Sequence, residues 1–262
     1  MIFLHAPDLV YVFSGFIVGA LVGITGVGGG ALMTPILIML GVSPVTAVGT
    51  DLLYASLTKT GGTLVHGYNH TVDWRVVVRL ATGSIPAAAL TLLALYELHI
   101  GSHATQVLIT KVLGVALFLT ALALLFRRTL TRVYANRIGE MPPERVRRLT
   151  IAAGALLGVL VSISSVGAGA IGATVLIMLY PKMSTARIVG SDIAHAVPLT
   201  LAAGLGHWAL GSIDWVLLGT LLVGSLPGIF VGSSLAARVP DAAVRLTLAA
   251  TLLLVCGKML YY

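Results

Sequence analysis

The sequence predicts an all-α, polytopic membrane protein built from two related halves. Hydrophobic residues make up 58% of the 262-residue chain and charged residues only 10%, whereas a soluble domain carries about 25% charged residues. Several runs approach the roughly 18 uncharged residues that a spanning helix requires. The same short motifs also occur twice along the chain. A duplicated chain of this composition is typical of a membrane transporter whose site lies between its halves.

The duplication is visible motif by motif. GITGVGGG at 23–30 is echoed by SISSVGAG at 162–169, and VGTDL at 48–52 by VGSDI at 189–193. The offset is 139 before Ser43, and from Ser43, which matches Ser184, it is a constant 141. Further pairs at this second offset are His66 with His207, Asp73-Trp74 with Asp214-Trp215, and Gly83-Ser84-Ile85-Pro86 with Gly224-Ser225-Leu226-Pro227.

The apolar segments divide the chain into two repeats joined by a basic linker. The first repeat, 1–126, holds a predicted hairpin at 9–40 and helices at 44–65, 75–96 and 104–126. The linker covers 127–148. The second repeat, 149–262, holds a hairpin at 149–180 and helices at 185–207, 215–236 and 242–262.

Segments 9–40 and 149–180 are too long for one crossing. As a single helix, 32 residues would run about 48 Å, whereas the hydrocarbon core is about 30 Å thick. Each segment has a break rich in glycine and serine near its middle. We therefore expect two half-helices joined by a non-helical tip. Backbone of this kind is tolerated at membrane depth only where protein buries it or where it lines a cavity.

Charge distinguishes two topologies. If each long segment crosses once, the repeats are parallel and Lys182, Arg187, Arg238 and Arg245 fall outside. If each is a re-entrant hairpin, the repeats are inverted, and nearly all Lys and Arg face the cytoplasm, including the seven between Arg127 and Arg148. The positive-inside rule favours the second arrangement. We expect six spanning helices in the cell membrane, with both termini outside and the linker in the cytoplasm. The net charge of +7 then reflects topology and not a nucleic-acid partner.

The two predicted tips are candidate anion-binding elements. Tip 1 (Gly26–Gly30) and tip 2 (Ser165–Gly169) each precede a second half-helix, starting near Ala31 and Ala170. A helix N-terminus offers unpaired N–H groups and the positive end of the macrodipole, and glycine allows close approach. Alternatively, the glycines only permit tight helix packing. The candidate substrate-binding residues are Thr25, Gly26, Gly28, Gly29, Gly30, Ser162, Ser164, Ser165, Gly167 and Gly169.

Intramembrane ionisable residues form a second candidate group, with a coupling or site-supporting role. Asp51 and Asp192 are symmetry mates, preceded by Thr50 and Ser191, and His195 lies one turn beyond Asp192. These groups could carry a proton. Alternatively, each aspartate accepts backbone N–H bonds and fixes a tip, which we favour because an ionised carboxylate repels an anion. Lys59 could supply charge to the substrate, or it could snorkel to the interface.

The sequence offers no basis for an enzyme. We find no nucleophile–base pair and no His, Cys and carboxylate cluster with metal-ligand spacing, so neither a metal nor another cofactor is expected. The lone Cys256 excludes an internal disulfide. The expected partners are a small anion and the lipid bilayer.

The motifs together resemble the sulfite exporter TauE/SafE family of membrane permeases. The resemblance spans nearly the whole chain and rests on Gly19-x-x-x-Gly23-x-x-Gly26-x-Gly28-Gly29-Gly30, Pro35, Gly41-Val42-Ser43-Pro44, Ala47-Val48-Gly49-Thr50, His66-Gly67, Val72-Asp73-Trp74, Gly83-Ser84-Ile85-Pro86 and the second-half echoes. It implies secondary transport of sulfur-containing anions such as sulfite, sulfoacetate or other organosulfonates, commonly for export.

Tip 2 departs from tip 1. It has Ala168 where the first half has Gly29, and serines where the first half has Gly23 and Gly26. We therefore expect an asymmetric site. The mechanism expected is alternating access, either coupled to protons or as uniport. The alternatives are an anion channel and a cation transporter centred on Asp51 and Asp192.

Overall fold

The structure is a computed structural model that describes the backbone of residues 6–25, 30–99, 102–138, 141–235 and 241–261. These ranges contain helices and no strand, so the all-α class is confirmed. The helices, in chain order, are α1 (Ala6–Thr25), α2 (Gly30–Met39), α3 (Pro44–Tyr68), α4 (Trp74–Glu97), α5 (His103–Ile138), α6 (Pro143–Ser164), α7 (Ala170–Leu179), α8 (Thr185–Ala209), α9 (Trp215–Leu235) and α10 (Asp241–Tyr261).

Five helices of the described part are long and apolar enough to cross a membrane: α4, the first 24 residues of α5, α6, α8 and α9. The chain is therefore a multi-pass membrane protein. Helix α3 is also long, with 25 residues, but it carries Asp51 and Lys59 in its interior. Charged side chains are costly in contact with lipid, so we expect α3 to be surrounded by protein. The side chains from Val45 to Ser56 along α3 are indeed mostly buried.

Each half begins with a long helix followed by a short one. Helices α1 and α6 have 20 and 22 residues, and α2 and α7 have 10 each. The short helices begin at Gly30 and Ala170, within one residue of the predicted starts. The two arms of each predicted hairpin are therefore unequal, whereas the sequence had indicated two half-helices.

Glycine packing explains the long arms. A Cβ added at Gly19 of α1 would collide with the backbone at Ser225 of α9, and one at Gly228 would collide with the backbone at Phe16. Helices α4 and α6 make the same kind of contact, since a Cβ at Gly158 would strike the backbone at Ser84. Small residues allow membrane helices to approach this closely. These glycines lie along the long arms and outside the tips, so the packing alternative for the tip glycines stays a prediction.

The direction of each helix follows from its contacts. In α4 and α6, Leu80 lies beside Gly154 and Ser84 beside Gly158, so the two helices run the same way. Helix α8 also runs with α4, because the Asp73 N–H donates to the Ser191 hydroxyl and Ser84 meets His195 further along both helices. Helices α6 and α8 therefore share one direction. The short helix α7 between them has to reverse.

The same reasoning holds in the first half. Helix α9 runs with α1, as Gly15 lies beside Leu221 and Gly19 beside Ser225. It also runs with α3, because the Asp214 N–H donates to Thr50 and Tyr54 faces Ser225. Helices α1 and α3 thus share a direction, and α2 reverses between them.

The related helices α3 and α8 pack antiparallel at the centre of the molecule. Leu53 lies against Gly204, the Ser56 hydroxyl lies 3.5 Å from the Val197 carbonyl oxygen, and Gly62 lies against Ile193. Residue numbers thus fall along α8 as they rise along α3. Equivalent helices of two parallel repeats would run the same way. The inverted placement in a membrane stays a prediction, and this packing agrees with it.

The segment expected as a linker is shorter than predicted. Helix α5 continues to Ile138 and α6 begins at Pro143, so helix covers most of 127–148. The polarity of this segment ends the apolar run without ending the helix. The first strong helix-breaking residues after Arg127 are Gly139 and the pair Pro142-Pro143, and proline is favoured at a helix start.

Candidate functional site

Tip 2 is a buried loop with a left-handed backbone. Ser165, the C-cap of α6, has φ 58°, and Gly167 and Gly169 have φ 125° and 135°. Glycine adopts such angles without the clash of a Cβ, which explains the two glycines. The exposed fraction is 6% for Ser165, 1% for Val166 and 8% for Ala168. This loop therefore meets the condition that protein must enclose irregular backbone in a membrane.

The loop leaves several backbone donors unused. The Gly172 N–H donates to the Gly167 carbonyl and the Ala173 N–H to the Gly169 carbonyl, at 3.1 and 3.0 Å. Within the described part of the chain, no hydrogen bond engages the N–H groups of 168–171. These groups lie at the N-terminus of α7, where the macrodipole is positive. They can donate to an anion.

Helix α3 of the first half carries two charged side chains to tip 2. The Lys59 ammonium donates to the Ala168 carbonyl oxygen at 3.0 Å and is 6% exposed, so Lys59 does not snorkel. Asp51 is fully buried and accepts a 2.5 Å hydrogen bond from the Thr34 hydroxyl of α2. Its second oxygen has no hydrogen-bond partner of standard geometry among the described residues, but the carboxylate faces the Ser165 hydroxyl.

The second aspartate occupies an equivalent place on α8. Asp192 is 1% exposed and lies directly against Gly172 of α7, where an added Cβ would overlap its carboxylate oxygen. The Lys59 ammonium is attracted by both Asp192 and Asp51. Lys59 is the only buried Lys or Arg in the described part of the chain. Adding the offset of 141 to position 59 gives Thr200, a buried residue that donates to the carbonyl of Ala196. The central cation is therefore present in one half only.

A histidine joins the end of α8 to the end of α6. The His207 Nε2 lies 2.9 Å from the Ser162 carbonyl oxygen, and its Nδ1 lies 3.1 Å from the Ser212 hydroxyl. A carbonyl only accepts, so Nε2 carries a proton. The Ser162 carbonyl lies in the last turn of α6, where helix carbonyls lose their partners. The His207 side chain thus caps the helix that leads into tip 2.

The equivalent histidine of the first half has a different environment. His66 Nδ1 lies 2.8 Å from the Thr71 hydroxyl, which repeats the His207–Ser212 contact. The residue equivalent to Ser162 is Gly23, at the offset of 139, and no hydrogen bond between His66 and Gly23 is present. Both instead line a cavity of about 390 Å³ that Lys59 also lines. The other lining residues are Val22, Leu57, Thr58, Gly61, Gly62, Val65, Ile193, Leu226, Ile229 and Ser233.

Pairs of hydroxyl contacts tie the halves together at equivalent positions. Thr50 accepts from the Asp214 N–H at 3.2 Å, and Ser191 accepts from the Asp73 N–H at 2.8 Å. Both hydroxyls therefore bind the start of a helix in the other half and not a tip. His195 meets the Ser84 hydroxyl at 2.8 Å. These contacts explain why the duplicated motifs recur together, since each motif touches another.

A protein-family model matches nearly the whole chain. The model described as sulfite exporter TauE/SafE matches residues 11–259. The chain belongs to the TauE/SafE family. It is thus a membrane transporter of that family, and the resemblance deduced from the motifs is confirmed.

Two bacterial relatives of this TauE/SafE protein carry transporter names. The probable membrane transporter protein YjnA of Bacillus subtilis (strain 168) is 42% identical over 213 residues, which cover 81% of this chain and 84% of the relative. The probable membrane transporter protein YdhB of the same organism is 28% identical over 215 residues, covering 79% and 82%. No solved structure gives a significant match.

The structure brings together part of the predicted TauE/SafE site. Ser165, Gly167 and Gly169 belong to tip 2. Asp51, Asp192 and Lys59 lie against this tip or the start of α7. Ser164 Oγ donates to the Leu160 carbonyl at 2.7 Å and accepts from the Val166 N–H, so it shapes the tip. Ser162 participates through its carbonyl oxygen. Gly26, Gly28, Gly29 and the side chain of Thr25 lie outside the described residues, and Gly30 begins α2. The meeting of the two tips therefore stays a prediction.

Sequence reasoning missed three contacts of the candidate site. Thr34 binds Asp51, His207 binds Ser162, and the Ala168 carbonyl binds Lys59. That each aspartate accepts backbone N–H bonds from a tip stays a prediction; among the described residues, Asp51 accepts from the Thr34 hydroxyl and faces the Ser165 hydroxyl. A signal for His207 was present, because a histidine is followed five residues later by a hydroxyl residue in both halves.

Proposed function

We propose that this transporter carries small sulfur-containing anions, such as sulfite, sulfoacetate or other organosulfonates, in the export direction. The observation that carries the proposal is a buried ammonium, that of Lys59, beside unused backbone donors at the N-terminus of α7. Anions bind readily at such helix ends. A sulfur oxyanion has several acceptor oxygens on one centre, which several converging N–H groups can bind at once.

The charges around tip 2 support proton coupling. With both Asp51 and Asp192 ionised, one positive and two negative charges leave one negative charge in excess, which repels an anion. A proton on either carboxylate removes the excess. We therefore propose that the anion and a proton occupy the site together. His195 and Tyr54 occupy equivalent positions in the two halves. His195 faces Ser84 of the first half and Tyr54 faces Ser225 of the second half, so a shared packing role explains His195.

The unequal histidines support alternating access. The His207–Ser162 contact closes one half, while the cavity at His66 and Gly23 leaves the other half open to the ends of α1 and α3. In the inverted topology this opening faces the cytoplasm. We propose that the second state exchanges the two arrangements: His66 Nε2 then donates to the Gly23 carbonyl, and His207 releases Ser162. Rocking between related halves is the usual motion of such transporters.

Transport by purified protein in proteoliposomes tests the proposal. Lys59→Gln removes a charged donor worth about 1.5–3 kcal/mol, so counterflow of labelled sulfite or sulfoacetate is expected to fall about tenfold or more. Ser165→Leu is expected to abolish counterflow while the protein still inserts. The matched control is Lys111→Gln, since Lys111 is exposed on α5. Full counterflow in Lys59→Gln and Ser165→Leu would refute a site at tip 2.

Two alternative functions predict different results in measurements on the same purified protein. An anion channel with the tips as filter gives flux without counterflow. A transporter of cations centred on the two aspartates is stabilised against heat by a small cation and not by sulfite. The buried position of Lys59 between Asp51 and Asp192 disfavours the cation alternative, because its ammonium already occupies the negative centre.

A further inference from the structure

A second cavity lies at the base of the α6–α7 arms, where α6 begins and α7 ends, and Lys59 does not line it. Its volume is about 430 Å³, and its walls come from α4, the start of α6, the end of α7, the loop between α7 and α8, and the first turn of α8. Three cations line it: Arg79, Lys182 and Arg187. The remaining lining is mostly apolar and consists of Met141, Pro143, Val146, Leu179, Tyr180, Pro181 and Met183.

The Arg79 side chain is held in place by neutral groups. Its guanidinium donates to the Tyr180 hydroxyl at 3.3 Å. The Tyr180 hydroxyl lies 2.8 Å from Thr150 Oγ1, which in turn donates to the Val146 carbonyl at 2.8 Å. This chain of hydroxyls fixes the direction of Arg79 without neutralising its charge. The guanidinium keeps further N–H donors for a ligand.

The charge in this cavity is only partly balanced. Arg187 lies 3.3 Å from the Asp73 carboxylate, which neutralises one of the three cations. The nearby Glu144 is engaged by Arg147 and Arg148. Arg79 and Lys182 form no ion pair with any acid in the described part of the chain. The cavity thus presents two uncompensated positive charges beside an apolar wall.

The position of the cavity favours lipid as the occupant. Arg79 lies about one and a half turns after Trp74, the exposed first residue of the α4 span. Tryptophan marks the level of the lipid headgroups, so Arg79 lies close to that level. Basic pockets between membrane helices bind anionic headgroups. We propose that this cavity is a binding site for an anionic glycerophospholipid. Arg79 and Lys182 bind its phosphate, and the apolar wall contacts its glycerol and upper acyl chains.

Such a lipid would brace the base of the α6–α7 arms. It would bridge α4, α6 and the α7–α8 loop, three elements that otherwise meet there through the Tyr180 hydroxyl and its neighbours. The proposal does not depend on the substrate of the transporter. It predicts a saturable increase in thermal stability when anionic lipid is added to the delipidated protein.

The test compares melting temperatures of the purified full chain in a neutral detergent. Phosphatidylglycerol is titrated against phosphatidylcholine, inorganic phosphate and glycerol 3-phosphate. We expect stabilisation by phosphatidylglycerol only, with half-saturation about fivefold weaker in Lys182→Gln, because a basic residue near a membrane surface contributes about 1 kcal/mol. Lys182 is exposed and has no ion-pair partner among the described residues, so this variant is expected to fold. Arg79→Gln should weaken binding as much or more.

Arg75→Gln is the matched control, since Arg75 lies one turn before Arg79 on the same helix and does not line the cavity. Equal lipid response in Lys182→Gln, Arg75→Gln and the parent protein would overturn the proposal. Stabilisation by inorganic phosphate alone would show a phosphate site and overturn the lipid assignment. Equal stabilisation by phosphatidylcholine would show that the headgroup charge has no role.

Discussion

Single hydrogen bonds distinguish the two halves of this duplicated chain. His207 donates to the Ser162 carbonyl at 2.9 Å, whereas the equivalent His66 faces a cavity. The bond closes the end of α6, where unpaired carbonyls would otherwise need water. At the scale of residues, this histidine contact is therefore the difference between the halves on which the proposed alternating access depends.

Removing the His207 side chain is expected to loosen this end of α6. In a Cys256→Ser background, Ser162→Cys reports access to the site from the face that carries Ser212. A neutral hydrogen bond contributes about 1 kcal/mol, so His207→Ala should speed modification of Ser162→Cys by a membrane-impermeant thiol reagent about fivefold. His66→Ala is the control and should not speed it. An unchanged rate in His207→Ala would show that the contact does not close the site.

The sequence indicated the charged residues of the site better than their partners. Asp51, Asp192 and Lys59 stood out because charge is costly inside a membrane. Thr34, Ser84 and the Ala168 carbonyl did not, since hydroxyls and carbonyls are common and their pairing depends on how helices from both halves pack. Lys59 illustrates the difference: the sequence leaves snorkelling open, but the packing of tip 2 against α3 gives its ammonium a buried acceptor.

At the scale of elements, closely packed helix pairs are the main feature of the fold. Helices α1 with α9 and α4 with α6 approach so closely that a Cβ at several glycines would strike backbone. The sequence predicted most helix boundaries in the spans, because apolar runs and prolines mark them. It missed the continuation of α5 to Ile138, because polarity there resembled a linker although no strong helix breaker occurs before Gly139.

Two glycine substitutions should have opposite effects on stability. Gly158→Ala on α6 places a methyl group against the backbone at Ser84, and overpacking of this kind costs about 1–3 kcal/mol. Gly219→Ala on α9 meets nothing within 4 Å and gains up to about 1 kcal/mol of helix propensity. Melting temperatures in detergent should therefore fall for the first variant and hold or rise for the second. Equal responses would contradict the packing described for α4 and α6.

The arrangement of the whole molecule follows from its two repeats. The antiparallel packing of α3 and α8, with α2 and α7 each reversing between helices of like direction, is what inverted repeats produce. Hydropathy and charge predict inverted repeats in the membrane because both reflect the bilayer. The packing of α3 and α8 agrees with that prediction. Hydropathy and charge could not predict the cavity beside Lys59 or the one beside Arg79, since each depends on side chains from three or more helices.

Ser43 and Ser184 provide a matched test of topology. They are equivalent, exposed N-caps of α3 and α8. In cells carrying the Cys256→Ser background, Ser43→Cys should react with an impermeant reagent from outside, and Ser184→Cys only after the membrane is permeabilised. Labelling of both from the same face would establish parallel repeats and remove the inverted arrangement.

Lys59 has a consequence for the energetics of the cycle. Thr200 occupies the position in the second half that is equivalent to Lys59. The two halves therefore produce different electric fields at the site. If access alternates as proposed above, the two access states place this one ammonium group in unlike surroundings, and their free energies differ even in an empty carrier. We infer that such a carrier has a preferred resting side before any gradient acts.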